Sequence, residues 1–266
     1  MKGQPIGVFD SGVGGLTVAH AIKQILPGES LVYFGDTAHL PYGDKSAESI
    51  RYYSQRITEF LLEHNSKVVL VACNSASASA FDYLRNEFEG KTIILDVIDP
   101  VVDYLRTRNF NKIGVIGTKR TISSGTYEKK LKENSPATSV ISLATPLLVP
   151  MIEEGFIFDD ISNAIIRAYL SNESFSDIEA LILGCTHYPI IKNQISKIFN
   201  FNIEVVDSAK IVSNVMRDTL EKNNLLNDSG IVRDQFFVSD FTSYFEKIAK
   251  MFFEGEINLK KADIWS

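Results

Sequence analysis

The residues of this sequence best suited to acid–base chemistry are its two cysteines, Cys73 and Cys185. Each follows an apolar run of strand length and precedes polar residues that lead into a predicted helix. The N-terminus of a helix presents free N–H groups and a positive dipole end, which lower the pKa of a thiol from about 8.5 toward neutrality. We therefore expect both thiols to be reactive.

Two such thiols on opposite faces of a substrate could exchange a proton at one carbon atom. Inversion of an amino-acid α-carbon requires a base on one face and an acid on the other, and a thiolate and a thiol supply both. The reaction needs no pyridoxal phosphate, so we expect no cofactor. The cysteines lie 112 positions apart, which matches neither a disulfide framework nor the C-x-x-C spacing of a metal site, so we expect reduced thiols and no metal.

Candidate binding groups lie near other predicted strand ends. The turn from Asp10 to Gly15 follows the first strand and opens a helix, so its backbone N–H groups could hold a carboxylate or phosphate. Further amide, hydroxyl and backbone donors are Ser11, Tyr42, Gly43, Asn74, Ser75 and Thr186. None of these stretches contains arginine or lysine, so we expect neutral donors to hold the carboxylates of the substrate.

Four residues are candidates for an auxiliary role. His187, two residues after Cys185, could tune that thiol or relay its proton, although a structural hydrogen bond explains such a histidine equally well. Asp10, Asp36 and Glu153 could orient a thiol or the substrate amine. For each acid taken alone, capping or solvation is the commoner role.

The elements that must position these residues alternate between apolar strands and amphipathic helices, which is typical of an α/β fold with parallel sheets. We predict strands at 5–9, 31–35, 67–72, 92–96, 112–116, 138–143, 179–184, 203–206 and 235–238. We predict helices at 13–26, 46–64, 76–88, 99–108, 120–134, 158–170, 189–198, 209–224 and 241–253. Pro100 and Pro189 fall in first helical turns, where a missing N–H does no harm.

A weak internal repeat predicts two pseudo-symmetric lobes, each a mainly parallel sheet flanked by helices. The span from Ile6 to Cys73 is 67 residues, and the span from Ile113 to Cys185 is 72, so each half places a cysteine at an equivalent strand end. We assign residues 1–96 and 208–266 to the first lobe, with Cys73, and residues 97–207 to the second, with Cys185. Because ligands bind at the carboxyl ends of parallel strands, we expect the active site in the cleft between the lobes.

Composition excludes several classes of protein. Apolar residues make up 45% of the 266 residues and charged residues 23%, as in an ordinary globular protein. The net charge of −6 and the scattered basic residues argue against nucleic-acid binding. No apolar run is long enough to span a membrane, and no signal peptide opens the sequence, so we expect a cytoplasmic protein. The lobes leave helical faces available for a homodimer.

Seven short motifs occur in an order that resembles the glutamate racemases. They are Asp10-Ser11-Gly12-Val13-Gly14-Gly15-Leu16, Gly35-Asp36, Pro41-Tyr42-Gly43, Ala72-Cys73-Asn74, Pro150-Met151-Ile152-Glu153, Leu183-Gly184-Cys185-Thr186-His187-Tyr188-Pro189 and Val238-Ser239-Asp240. The resemblance implies a two-lobed α/β fold, interconversion of L- and D-glutamate without a cofactor, and supply of D-glutamate for peptidoglycan synthesis.

By position, the resemblance assigns catalysis to Cys73 and Cys185. It assigns substrate contacts to Asp10, Ser11, Tyr42, Gly43, Asn74, Ser75, Thr118, Thr121, Thr186 and His187. Ser75 stands where threonine is commoner in the family, and serine keeps the hydroxyl group.

Three other functions remain open from the residues alone. A nucleotide-binding oxidoreductase or binding module would use the glycine-rich turn and Asp36, but the spacing Gly12-x-Gly14-Gly15 departs from G-x-G-x-x-G. A racemase of aspartate or another acidic amino acid would use the same two thiols. A thiol hydrolase would use one cysteine with His187 as its base, and would leave the second cysteine unexplained.

Overall fold

Two parallel sheets organise the computed structural model, which describes residues 1–253, 255 and 257–265. Their strands are short apolar runs, and β1, β2, β3 and β7 are buried at every residue, as expected for parallel strands covered on both faces. The strands are β1 Ile6–Asp10, β2 Leu31–Gly35, β3 Val68–Val71, β4 Ile93–Asp96, β5 Lys112–Gly117, β6 Ser139–Ala144, β7 Ala180–Gly184, β8 Glu204–Val206, β9 Gln235–Val238 and β10 Leu259–Lys261.

Helices connect the strands, and several begin at a side chain that caps them. Ser46, Thr118, Asp159 and Thr242 each accept a hydrogen bond from a backbone N–H of the first helical turn. The helices are α1 Leu16–Ile25, α2 Ala47–Glu63, α3 Asn74–Glu87, α4 Asp99–Arg106, α5 Lys119–Ser123, α6 Thr126–Asn134, α7 Leu148–Glu153, α8 Asp160–Leu170, α9 Lys192–Ile198, α10 Ser208–Lys222 and α11 Ser243–Phe252. Short 3₁₀ turns cover Thr37–His39, Tyr42–Asp44, Glu173–Phe175 and Tyr188–Ile191.

The strand order repeats between the two sheets. The first sheet has the order β10-β9-β2-β1-β3-β4, and the second has β6-β5-β7-β8, which repeats the segment β2-β1-β3-β4. Phe9 of β1 pairs with Val71 of β3, and Gly117 of β5 pairs with Gly184 of β7. The predicted pseudo-symmetric α/β architecture is therefore confirmed, and Cys73 and Cys185 emerge from equivalent strands.

The second sheet is formed by a continuous segment of the chain that lies between two parts of the first sheet. Strands β1 to β4, β9 and β10 belong to one sheet, while β5 to β8 belong to the other. Helix α10, which follows β8, packs against α1. One buried hydrophobic cluster includes Val8 of the first sheet and Leu183 of the second, so the two lobes share part of their core. The exact lobe boundaries stay a prediction.

Two of the predicted helices are wrong in detail, and two further elements are missing from the prediction. The helix expected at 120–134 is divided into α5 and α6 by Gly125, which adopts a left-handed conformation (φ 65°). The helix expected at 189–198 begins as a 3₁₀ turn and becomes α-helical only at Lys192. Helix α7 and strand β10 are missing from the prediction, because six and three residues are too few to show a period.

The structure also bears on two smaller expectations. Pro100 and Pro189 do lie in first helical turns. Among the described helices, none combines the length and the apolar composition needed to cross a membrane.

Candidate active site

A cavity of about 290 Å³ lies where the carboxyl ends of the two sheets face each other. Residues that follow β1, β2 and β3 line one side, and residues that follow β5, β6 and β7 line the other. Both cysteines line this cavity, and both are free thiols that are largely buried. The cleft expected from the repeat therefore exists, and it brings together residues 112 positions apart in the sequence.

Cys73 occupies the N-cap position of α3. Its Sγ donates to Oγ of Ser11 over 3.5 Å. Burial, together with the charge of Asp10, raises the pKa of Cys73 to about 12, although Ser11 and the N–H of Ala76 act in the opposite direction. The expectation that a helix N-terminus lowers the pKa of this thiol is wrong, because the loss of solvent outweighs the helix end.

Asp10 occupies the glycine-rich turn instead of leaving it open to a ligand. Its Oδ2 accepts the N–H groups of Gly12 and Gly15, at 3.1 and 3.0 Å, while Oδ1 is buried with no hydrogen-bond partner among the described residues. Burial raises the pKa of Asp10, and the charge of His187 lowers it in part. The turn therefore binds its own carboxylate, which corrects the prediction that these N–H groups hold a substrate anion.

The same turn touches the second lobe directly. A Cβ atom on Gly14 would lie 2.3 Å from Cε1 and Nδ1 of His187, closer than nonbonded atoms approach. Thr17 adds a hydrogen bond from its Oγ1 to the carbonyl oxygen of Thr186, at 3.0 Å. The glycine at position 14 thus allows the loop that follows Cys185 to pack against the first lobe.

Cys185, His187 and Glu153 form a chain of polar contacts in the second lobe. Nδ1 of His187 lies 3.9 Å from Sγ of Cys185, and Nε2 lies 2.9 Å from Oε1 of Glu153. Burial by itself lowers the pKa of His187, but Cys185 and Glu153 outweigh it and raise the pKa to about 10. The contacts with Cys185 and Glu153 therefore favour the protonated form of His187. Cys185 itself precedes a 3₁₀ turn, not an α-helix.

A cluster of three hydroxyl groups joins the lobes beside Cys73. Oγ of Ser75 lies 2.8 Å from Oγ1 of Thr118 and 3.3 Å from Oγ1 of Thr121, and the two threonine hydroxyls are 3.0 Å apart. Ser75 and Thr118 line the cavity, while Thr121 supports them from behind.

Asn74 follows Cys73 in the chain and also lines the cavity. Its Oδ1 accepts the hydroxyl of Tyr127, a residue of α6, at 2.7 Å. Its Nδ2 is buried and has no hydrogen-bond partner in the described part of the chain.

Asp36 supports the cavity from outside it. Oδ2 of Asp36 accepts the phenol of Tyr42 at 2.7 Å, and Oδ1 accepts the hydroxyl of Ser239 at 2.8 Å. The phenol of Tyr42 is therefore bound to Asp36 and is not a free donor, which corrects the sequence-based expectation. Asp36 fixes the Tyr42–Asp44 turn that forms one wall.

Most of the predicted site residues reach the cavity, and a few do not. Those that line it are Ser11, Tyr42, Gly43, Cys73, Asn74, Ser75, Thr118, Glu153, Cys185, Thr186 and His187. Those that lie outside its lining are Asp10, Asp36 and Thr121. Among the described residues, no three His, Cys, Asp or Glu side chains form a group that could hold a metal ion.

Sequence reasoning missed several lining residues. Asp44 and Lys119 form an ion pair of 3.1 Å that connects the lobes at the cavity, so the wall does contain a lysine. Thr145 follows β6 just as Thr118 follows β5, and the repeat could have identified it. Tyr188 lies in the wall with its hydroxyl 2.7 Å from Oγ1 of Thr145. The ion pair has no signal in the sequence, because its partners are 75 positions apart.

Comparison with known proteins identifies relatives over nearly the whole chain. Residues 6–215 match the Asp/Glu/hydantoin racemase family. A glutamate racemase of Chlorobaculum parvum is 40% identical over 95% of this chain and 93% of its own length. Glutamate racemase 3 of Caldanaerobacter subterraneus subsp. tengcongensis is 40% identical over 97% of this chain and 94% of its own length.

A solved structure also matches the fold over the whole chain. The crystal structure of glutamate racemase from Francisella tularensis in complex with D-glutamate superposes with a TM-score of 0.94 and 37% identity, covering 100% of this chain and 99% of that one. The architecture described above is therefore that of an experimentally determined fold.

Proposed function

Since this chain belongs to the glutamate racemases, within the Asp/Glu/hydantoin racemase family, it is an isomerase, and we propose that it interconverts L- and D-glutamate without a cofactor. The observation that carries this proposal is the convergence of Cys73 and Cys185 on one cavity from opposite sheets. The bound D-glutamate of the Francisella tularensis relative supports an acidic amino acid as the substrate.

In the proposed mechanism each cysteine serves one face of the α-carbon. The thiolate of one cysteine takes the α-proton, and the thiol of the other gives a proton to the opposite face. The roles reverse for the other enantiomer. Asp10 is the charged group beside Cys73, and His187 is the charged group beside Cys185. Glu153 positions His187, because its Oε1 lies 2.9 Å from Nε2 of the ring.

The remaining cavity residues are proposed to hold the substrate. Hydroxyl and amide groups of Ser11, Asn74, Ser75, Thr118 and Thr186 would donate to the two carboxylates. Tyr42 and Gly43 form part of the first-lobe wall, and Thr121 supports the hydroxyl cluster. Supply of D-glutamate for peptidoglycan synthesis, a cytoplasmic location and a homodimer stay predictions.

The direct test is circular dichroism or polarimetry of L-glutamate with purified protein and no added cofactor. We expect the optical signal to decay to zero and, in D₂O, deuterium to appear at the α-carbon. A parallel reaction with L-aspartate compares the two acidic substrates. A stable signal with both amino acids would contradict the proposal.

A thiol hydrolase is a second candidate, because Cys185, His187 and Glu153 have the order of a nucleophile, a base and an orienting acid. That mechanism makes no use of Cys73, so Cys73→Ser would preserve hydrolysis and abolish racemisation.

A nucleotide-binding oxidoreductase would need the N–H groups of the glycine-rich turn and the carboxylate of Asp36 to bind its nucleotide. Both already have partners in this structure, because Asp10 accepts the turn N–H groups and Asp36 accepts the phenol of Tyr42. If NAD(P) raised the melting temperature and glutamate did not, the oxidoreductase would be favoured instead.

A further inference from the structure

Asn74 and Tyr127 are joined by a buried hydrogen bond that crosses from one lobe to the other. Asn74 is the first residue of α3 in the first lobe, and Tyr127 lies in α6 of the second. Each side chain is only 2% exposed, and Oη of Tyr127 lies 2.7 Å from Oδ1 of Asn74. This distance is that of a well-formed hydrogen bond between an O–H donor and an oxygen acceptor.

The chemistry of the two groups fixes the direction of this bond. Burial raises the pKa of Tyr127, and the charges of Asp96 and Cys185 add to the effect, so the phenol keeps its proton. A protonated phenol has one hydrogen to donate, and the amide of Asn74 offers one acceptor atom, Oδ1. With Oδ1 directed at Tyr127, the NH₂ group of Asn74 is turned away from it.

That NH₂ group has no partner among the described residues, although it is buried. A buried donor without an acceptor is costly, so a site that keeps one is suited to a ligand that supplies the acceptor. Asn74 lines the cavity directly after Cys73, where an acidic amino acid would bring its carboxylates.

We propose that Tyr127 is a positioning residue, which holds the Asn74 amide with its NH₂ group presented to a carboxylate of the substrate. The inference rests on the proposed function, because it gives Tyr127 a part in binding the substrate of that reaction. In this arrangement a residue of the second lobe, Tyr127, orients a hydrogen-bond donor of the first lobe, the NH₂ group of Asn74.

The test is the steady-state kinetics of Tyr127→Phe with both enantiomers of glutamate. The variant keeps the ring and removes the hydroxyl, so the amide is free to rotate. Loss of this orientation should weaken the binding of the substrate and of the transition state by similar amounts. We therefore expect KM to rise about tenfold while kcat stays within about twofold. A purely structural role would lower the amount of active enzyme, and hence kcat, without changing KM.

Three further variants make the test specific. Tyr104→Phe is the matched control, since it removes a phenol that hydrogen-bonds to Glu204 at 2.6 Å, and the cavity lining does not include Tyr104. It should leave KM unchanged. Asn74→Ala should raise KM at least as much as Tyr127→Phe, and the double variant should be no worse than Asn74→Ala alone.

The outcomes separate this inference from the proposed function. If the unmodified protein does not racemise glutamate, both fail. If it does, and Tyr127→Phe leaves KM unchanged or acts additively with Asn74→Ala, then only the role of Tyr127 is overturned.

Discussion

Cys73 and Cys185 emerge from equivalent strands but have different neighbours. Cys73 contacts Ser11 and lies near the buried carboxyl group of Asp10, while Cys185 contacts the ring of His187, whose surroundings favour its protonated form. The backbone repeat therefore provides two equivalent positions, and the side chains around them provide two different electrostatic environments. Each thiol must be tested separately.

Replacement of either thiol by a hydroxyl should abolish racemisation. Cys73→Ser and Cys185→Ser are each expected to lower turnover by about 10²-fold or more in both directions, because serine does not exchange a proton near neutral pH as a thiol does. Loss of α-hydrogen exchange in D₂O measures the effect, and an unchanged circular dichroism spectrum shows that the variant is folded. Near-native turnover in both directions by either variant would refute the two-base mechanism.

The pKa of His187 should depend on Glu153. The carboxylate favours the charged imidazolium, so Glu153→Gln is expected to lower the pKa of His187 from about 10. A pH titration of the ring nitrogens by NMR measures this directly. Glu154→Gln is the control, because Glu154 instead accepts the hydroxyl of Tyr244 at 3.2 Å.

The same pKa shift predicts how stability depends on pH. His187 titrates near 6.5 when unfolded and at about 10 in the fold, so its stabilising contribution is complete below about pH 6.5 and is lost as the pH rises to about 10. Glu153→Gln should therefore flatten the decrease in the free energy of unfolding over this range. An unchanged decrease would show that another group causes it.

At the scale of elements, the turn from Asp10 to Gly15 is a contact surface between the lobes. Gly14→Ala would place a methyl group against the His187 ring, so either the ring or the turn must move. We expect kcat/KM to fall at least tenfold, because His187 contacts Cys185. Gly28→Ala is the control, since Gly28 has no atom within 4 Å of the added Cβ, and it should leave kcat/KM unchanged. Equal effects of the two substitutions would exclude the steric explanation.

Most elements could be predicted from the sequence because each carries its own local signal. Strands such as β1 and β7 are apolar runs with polar residues at their ends, and their repeat predicted the shared cavity. The partners of Asp10 and Tyr42 could not be predicted, because a carboxylate or a phenol after a strand looks the same whether it faces a ligand or a backbone amide. The pKa of Cys73 depends on burial by distant segments, which local sequence does not specify.

At the scale of the whole molecule, a buried ion pair connects three distant segments. Nζ of Lys67 lies 2.5 Å from Oε2 of Glu29 and also donates to the carbonyl oxygens of Lys2 and Leu225. Oε1 of Glu29 accepts the N–H of Asn227 at 2.7 Å. The pair therefore joins the start of the chain, the first sheet and the segment after α10.

Removal of one partner should destabilise the protein strongly. Lys67→Met leaves the Glu29 carboxylate buried without its ammonium, and we expect the free energy of unfolding to fall by about 3–5 kcal/mol. Lys132→Met is the matched control, because it breaks an exposed pair of 2.6 Å with Glu128 and should cost about 0.5 kcal/mol or less. Urea denaturation measures both, and a similar small loss from each would show that the buried pair contributes little.

The different surroundings of Cys73 and Cys185 have a kinetic consequence for the proposed reaction. Two enantiomers have equal free energies in water, so the equilibrium constant between them is one, whatever the enzyme. The ratio kcat/KM must then be the same in both directions, even though one thiol lies beside Asp10 and the other beside His187. The asymmetry of the site can appear only as compensating differences in kcat and KM, with the faster direction having the weaker apparent affinity.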